Sequence, residues 1–246
     1  MSDGIETQRI TDRRDIPPEL IWSKYSIIQH AIFWLLALGA WHGLHLLAGW
    51  KEQYTLPVWR YVSRVRFYFG TSDFERMVII GVITGFVLLG FILLTDYLFA
   101  LIKGHKPSRE VLRNYYLLPR TNKQSLIAML LGVNAGIFEE IFFRGGLYTL
   151  FYFLSGSVIL GVVVTSAIFA LLHAALQGLR STIWIFAVGI VLNVMVLYTD
   201  TYIAAMACHI TVNIGNLFLI PALFEEDLEE LILEDKGLAG ISPTTQ

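Results

Sequence analysis

The stretch FEEIFFRGG, Phe138 to Gly146, sets two adjacent carboxylates and a guanidinium among Ile, Phe and Gly. A carboxylate can take a proton from water, and a guanidinium can hold a carboxylate in a charge-assisted pair. On a helix, Glu140 and Arg144 stand four residues apart with the acid first, the favourable order for pairing. Glu139 projects about 100° round the helix from Glu140, so the same arginine does not easily serve both. Glu139 therefore needs a partner on another helix, a proton, a metal or water. The competing explanation of all three residues is a buried ion network that only ties helices together.

Two further places repeat a spacing of four. FALLH sets the Phe169 ring and the His173 imidazole on one helical face, and HITVN does the same for His209 and Asn213. Each has a bland reading alone: His173 as an interfacial or hydrogen-bonded core histidine, Asn213 as an interhelical hydrogen-bond donor. Asn216 extends the polar stripe, whereas Asn193 fits the interhelical bond better. Together the residues form a hydrolytic set, in which a Glu and a His can deprotonate water and a second His and an Asn can stabilise an oxyanion. Neither GxSxG nor HExxH occurs, so serine acyl-enzyme and zincin chemistries lack their usual motifs. Cys208, the single cysteine, diverges from its neighbour His209 on a helix and reads as core. His30, His42 and His45 lie near Trp34, Trp41 and Trp50 as an interfacial belt, with His42 and His45 also spaced to share a metal.

The elements that must carry these groups are membrane helices. Of 246 residues, 55% are hydrophobic and 15% charged, against about 45–50% and 25% in soluble domains. A charged side chain at a bilayer centre costs roughly 2.5–3.5 kcal/mol, so three in one span demand a reason. Net charge of −2 excludes a strongly basic nucleic-acid binder. Apolar runs predict six spans, at 27–50, 77–102, 125–154, 157–175, 182–198 and 201–222. The expected fold is all-α, a polytopic bundle of about six transmembrane helices around a polar, water-accessible cavity. The third run is long for one span and is expected to tilt, to start as a surface segment near Ser125, or to bend around Gly145–Gly146.

Between the spans, lysines and arginines number twelve on the side of the N-terminus and five on the other, which places both termini in the cytoplasm. The chain then divides into an N-terminal cytoplasmic segment (1–26), two helices with interfacial loops (27–124), a four-helix core (125–222) and an acidic tail (223–246). The first segment lacks the short apolar core of a cleavable signal peptide. Val58–Phe69 mixes arginines with aromatics, as an interfacial loop or a segment lying along the headgroups. In the tail, Phe224, Leu228, Leu231 and Ile232 approach helical spacing, predicting a short amphipathic helix packed on the domain.

At its motif residues the sequence resembles the CPBP family of membrane CAAX proteases and bacteriocin-processing enzymes. The family pattern EExxxR, FxxxH and HxxxN/D stands here as Glu139–Arg144, Phe169–His173 and His209–Asn213, in order on successive apolar helices. The resemblance covers about 125–222 and implies an intramembrane endopeptidase acting on a membrane-associated protein or peptide, with or without a lipid modification. It implies that Glu139 and His173 activate the attacking water and that His209 and Asn213 stabilise the oxyanion. Glu140, Arg144 and Phe169 would support the site. Metal-dependent and metal-free forms both remain open, and Glu139, His173 and His209 would be the three ligands of a divalent cation such as Zn²⁺.

Two other functions fit parts of the pattern. A non-catalytic peptide-binding or immunity protein would keep the fold without cutting. A proton-coupled transporter would use the Glu and His residues as a relay, although neither an internal repeat nor a pair of interrupted helices marks one. One tension accompanies the protease reading: helix rise sets Glu139 roughly 20 Å beyond Ser125, whereas His173 falls about 3 Å from the end of its own span.

Overall fold

The computed structural model describes residues 26–28, 30–36, 39, 71–112 and 114–235. Most of the first predicted span with His42 and His45, the segment Val58–Phe69 and Lys236 lie outside the described residues. The described elements are helical, with no strand among them. They are α1 (Thr71–Lys103), α2 (Pro107–Val111), α3 (Asn122–Glu140) and α4 (Tyr148–Ser155), then α5 (Val158–Thr199), α6 (Ile203–Ile214), α7 (Ile220–Leu223) and α8 (Glu225–Asp235).

Among the described residues, four stretches are long and apolar enough to cross a membrane: Asp73–Lys103, Asn122–Ser155, Gln177–Thr199 and Ile203–Leu223. Val158–Ala174 is a shorter apolar helix at the predicted 157–175 span, and residues 26–28 and 30–36 are helical at the start of the first. Ile83, Phe86, Val87, Phe91 and Leu94 face outward from α1, as expected of a helix surrounded by lipid. The protein is an integral membrane protein.

Local chemistry explains the breaks. Thr121 caps α3 by accepting from the Gln124 amide at 3.2 Å, while Gln124 Oε1 accepts from the Arg120 amide at 2.7 Å, a reciprocal cap. The long third run is helical from Asn122 to Ser155, and α3 passes into α4 through a π-helical segment, Ile141–Leu147, that contains Gly145 and Gly146. Such segments recur at functional sites. Gly156 ends α4 with φ of 68°, and the Ser157 side chain caps α5. Gly178, with φ of 81° and ψ of 168°, folds α5 back on itself. Its two arms therefore run antiparallel, with Asn193 Nδ2 of the second donating to Ser166 Oγ of the first at 3.1 Å.

α6 is the centre of the bundle. It runs parallel to α1, which packs on it through Gly81 and Gly85; a Cβ on Gly85 would lie 2.6 Å from Thr211 Cβ. Small residues four apart allow this close approach where lipid supplies no hydrophobic drive between helices. α3 crosses α6 antiparallel at Gly136, where a Cβ would lie 2.9 Å from Ile210 N. Gly136→Ala must therefore push α3 off α6, and overpacking of this kind costs about 1–3 kcal/mol. The expected result is a lower unfolding temperature in detergent together with reduced activity, because Glu139 and Glu140 follow one turn later. An unchanged unfolding temperature would contradict the packing described.

At the far end of α1, Lys106 bonds Asp227 and, at 2.7 Å, Glu230 of α8. The hydrogen bonds to Asp227 and Glu230 hold the Lys106 pKa above the ordinary lysine range. The tail helix expected from the sequence thus sits against α2, with Leu228, Leu231 and Ile232 half-buried.

Candidate active site

The three motifs meet at α6. Glu140, fully buried at the end of α3, accepts from Arg144 Nη1 at 2.9 Å. The same oxygen lies 2.7 Å from His209 Nδ1 of α6. Because the acceptor is a carboxylate, Nδ1–H donates and the other imidazole nitrogen, Nε2, is left for other work. Nε2 faces Glu139, whose Oε2 lies 3.8 Å away. Arg144 is also fully buried, and its Nη2 donates to the Gly189 carbonyl at 3.2 Å. That carbonyl also accepts from Asn193 Nδ2 at 2.9 Å.

The two glutamates have different surroundings although they are adjacent. Glu140 is tied to a cation on its own chain segment and to an imidazole across the helix interface. Glu139 keeps 17% of its side chain exposed, and its buried Oε2 has no hydrogen-bond partner among the described residues. A buried carboxylate oxygen without a donor is costly unless water or a ligand completes it. Glu140 Oε2 is unpartnered as well, but Glu140 is fully buried and bonded twice through Oε1. Glu139 is therefore the acid of the pair that joins a free acceptor to partial exposure beside an imidazole.

Phe169 is the hub of the aromatic shell. Its ring centroid is 4.9 Å from Phe143, 4.9 Å from His173 and 5.7 Å from His209. Arg144 Cζ stands 4.8 Å above the same ring. Phe169→Leu keeps an apolar side chain but removes the cation–π contact, worth about 0.5–2 kcal/mol. A fall in thermal stability of that size in detergent is expected, and an unchanged midpoint would show that the ring does not hold Arg144.

The remaining sequence-predicted residues are placed as follows. His173 is half-buried and its Nδ1 lies 2.8 Å from the Phe169 carbonyl, so Nδ1–H donates there and Nε2 is left for other work. Its described contacts are with Phe169, and through that ring it adjoins His209. The Phe169 ring thus contacts both imidazoles. Asn213 lies one turn beyond His209 and donates through Nδ2 to the Gly132 carbonyl at 3.2 Å, which still leaves a second amide hydrogen. Asn216 is exposed in the π-helical segment Gly215–Leu219, away from the buried cluster. Cys208 is fully buried in the core.

Zinc needs three or four donors converging at about 2.0–2.2 Å. Glu139 and His209 supply two facing donors, but among the described residues no group of three or more His, Cys, Asp or Glu could hold a metal ion. His173 does not join the other two as a third ligand in this geometry.

Several contributors carry no motif in the sequence. Gly136 sets the approach of α3, and the Gly189 carbonyl receives both Arg144 and Asn193. Beside Glu139, Phe138 stacks on Trp34 at 3.9 Å, and Phe142 meets Phe33 at 5.0 Å. Phe138 and Phe142, four apart on one helical face beside Glu139, were the available signal.

Compared with known protein families, residues 121–215 match the one described as Rce1-like, type II CAAX prenyl endopeptidase Rce1-like. No curated protein and no solved structure matches the chain.

Proposed function

Residues 121–215 being an Rce1-like domain of the CPBP and CAAX protease family, we propose that the chain is an intramembrane endopeptidase whose water is activated by Glu139. The catalytic core is assigned to 125–222. The observation that carries the reading is the unpartnered, buried Oε2 of Glu139 facing His209 Nε2 at 3.8 Å, beside a Glu140 already committed to Arg144 and His209.

Water enters between Glu139 and the two imidazoles. Glu139, assisted by His173 Nε2, takes one proton as the water oxygen attacks the scissile carbonyl carbon. The negative charge on the carbonyl oxygen is met by His209, in its protonated form donating through Nε2, and by the second amide hydrogen of Asn213. The tetrahedral intermediate then collapses, the C–N bond breaks, and the proton held by Glu139 passes to the departing nitrogen. One water is consumed, giving one carboxyl and one amino terminus. Glu140, Arg144 and Phe169 act through the others: they fix the tautomer and position of His209.

Substrates of this reading are proteins or peptides in the membrane, with or without a lipid modification. The end of the bundle that gathers Lys103, Lys106, Arg109, Arg120, Lys123 and Arg180 is assigned to the cytoplasm, with both termini.

The test is purified protein in detergent, incubated with a peptide library, wild type beside Glu139→Ala, each with and without a chelator. Cleavage by the wild type that survives chelation and is lost in the variant supports the metal-free glutamate reading. Loss under chelation with recovery on adding Zn²⁺ would replace it by a metalloprotease. Equal cleavage by both proteins would remove Glu139 from the chemistry.

A further inference from the structure

α5 reverses at Gly178, in a backbone conformation that side-chain-bearing residues rarely adopt. His173 lies five residues before this glycine and Arg180 two residues after it. Leu172 and Leu179 at the turn face outward, 61% and 79% exposed. Polar bonds tie the turn to α1 and α2. Arg180 Nη2 donates to Asp96 Oδ1 of α1 at 2.7 Å, and Nη1 donates to Glu110 Oε2 of α2. The guanidinium carbon lies 3.6 Å from the Phe99 ring centroid.

The neighbouring groups complete the brace. Lys103 Nζ and His105 Nδ1 approach the other Glu110 oxygen at 3.6 and 3.3 Å. Asn114 Nδ2 donates to Ser181 Oγ at 3.3 Å, and Thr182 Oγ1 donates to the Gly178 carbonyl at 2.8 Å. Asp96 is only 3% exposed, within an apolar span where a carboxylate needs a specific reason. A planar fork that joins two carboxylates on two elements is a task for arginine, not lysine.

We propose that Arg180, through Asp96 and Glu110, is a positioning residue for His173: it fixes where the α5 turn sits and so the depth at which the imidazole meets the attacking water. The proposal rests on the role given to His173 above. The bonds described for Arg180 run to α1 and α2 and not to the Glu139–His209 cluster, so its effect on the reaction runs through the turn.

The test uses the full chain in lipid nanodiscs. Wild type, Arg180→Ala, Arg180→Lys and the exchanged pair Asp96→Arg with Arg180→Asp are compared by two readouts. The first is the distance distribution between nitroxides attached at Leu172→Cys and Leu130→Cys, both outward-facing, with Cys208 too buried to be labelled. A narrow distribution in the wild type is expected to broaden or shift in Arg180→Ala and to change less in Arg180→Lys. It is expected to narrow only in part in the exchanged pair, which restores the bond to position 96 but sets a carboxylate against Glu110. The second is steady-state cleavage, in which Arg180→Ala is expected to lose roughly 10–100-fold in kcat, with KM within about twofold. A distance distribution unmoved by either single variant overturns the proposal, as does a moved distribution with kcat unchanged. If the wild type cleaves nothing, the protease reading falls, while the distances still decide whether Arg180 sets the turn. Should Arg180→Ala fail to fold, Arg180→Lys and the exchanged pair carry the same comparison.

Discussion

Arg144→Ala is expected to destabilise the folded protein by about 3–5 kcal/mol, the range seen when one partner of a buried ion pair is removed. Arg144 and Glu140 are both fully buried, and the pair is closed at 2.9 Å. Truncation leaves the Glu140 carboxylate in a low-dielectric interior with His209 as its only described donor. It also strips the Gly189 carbonyl of one of its two side-chain donors. Glu140→Ala is expected to be of similar size, because it strands a guanidinium and an imidazole together. Thermal unfolding in detergent reads both. A shift of less than about 1 kcal/mol would place the pair with weak surface ion pairs and contradict the buried network.

Glu139→Gln is expected to behave in the opposite way. The amide is isosteric, so insertion and unfolding temperature should remain near wild type, while cleavage falls by about 10²–10⁴-fold, the usual contribution of a general base. The contrast follows from surroundings, since the two acids are neighbours in the chain. Glu140 holds helices through two bonds; Glu139 holds nothing with its Oε2. Adjacent glutamates should therefore separate stability from activity, and the same two assays on both variants measure the separation.

Much of this arrangement is legible in the sequence because it is local. The pairing of Glu140 with Arg144 follows from their spacing and order, and the apolar runs mark the spanning helices. What is not legible depends on how helices rotate against one another. That His209 bonds Glu140 and only faces Glu139 is set by the approach at Gly136, a tertiary distance. The Asp96–Arg180–Glu110 brace joins residues 84 and 70 positions apart, and no spacing rule links them. In the sequence Arg180 reads only as a flanking positive charge. The segment after Glu140 had a hint in Gly145–Gly146, where a bend was expected, but the spacing of residues did not mark it as π-helical. Helix rise set His173 apart from Glu139 in depth, and the Phe169 ring that touches both His173 and His209 is visible only in three dimensions.

The most direct test of the central claim is cleavage of one identified membrane peptide in H₂¹⁸O, followed by mass spectrometry, with wild type and Glu139→Gln reconstituted side by side. The account predicts that wild type gives a new C-terminal carboxyl carrying ¹⁸O, and that the equally folded variant gives little or none. Labelled product formed by Glu139→Gln at the wild-type rate would contradict it.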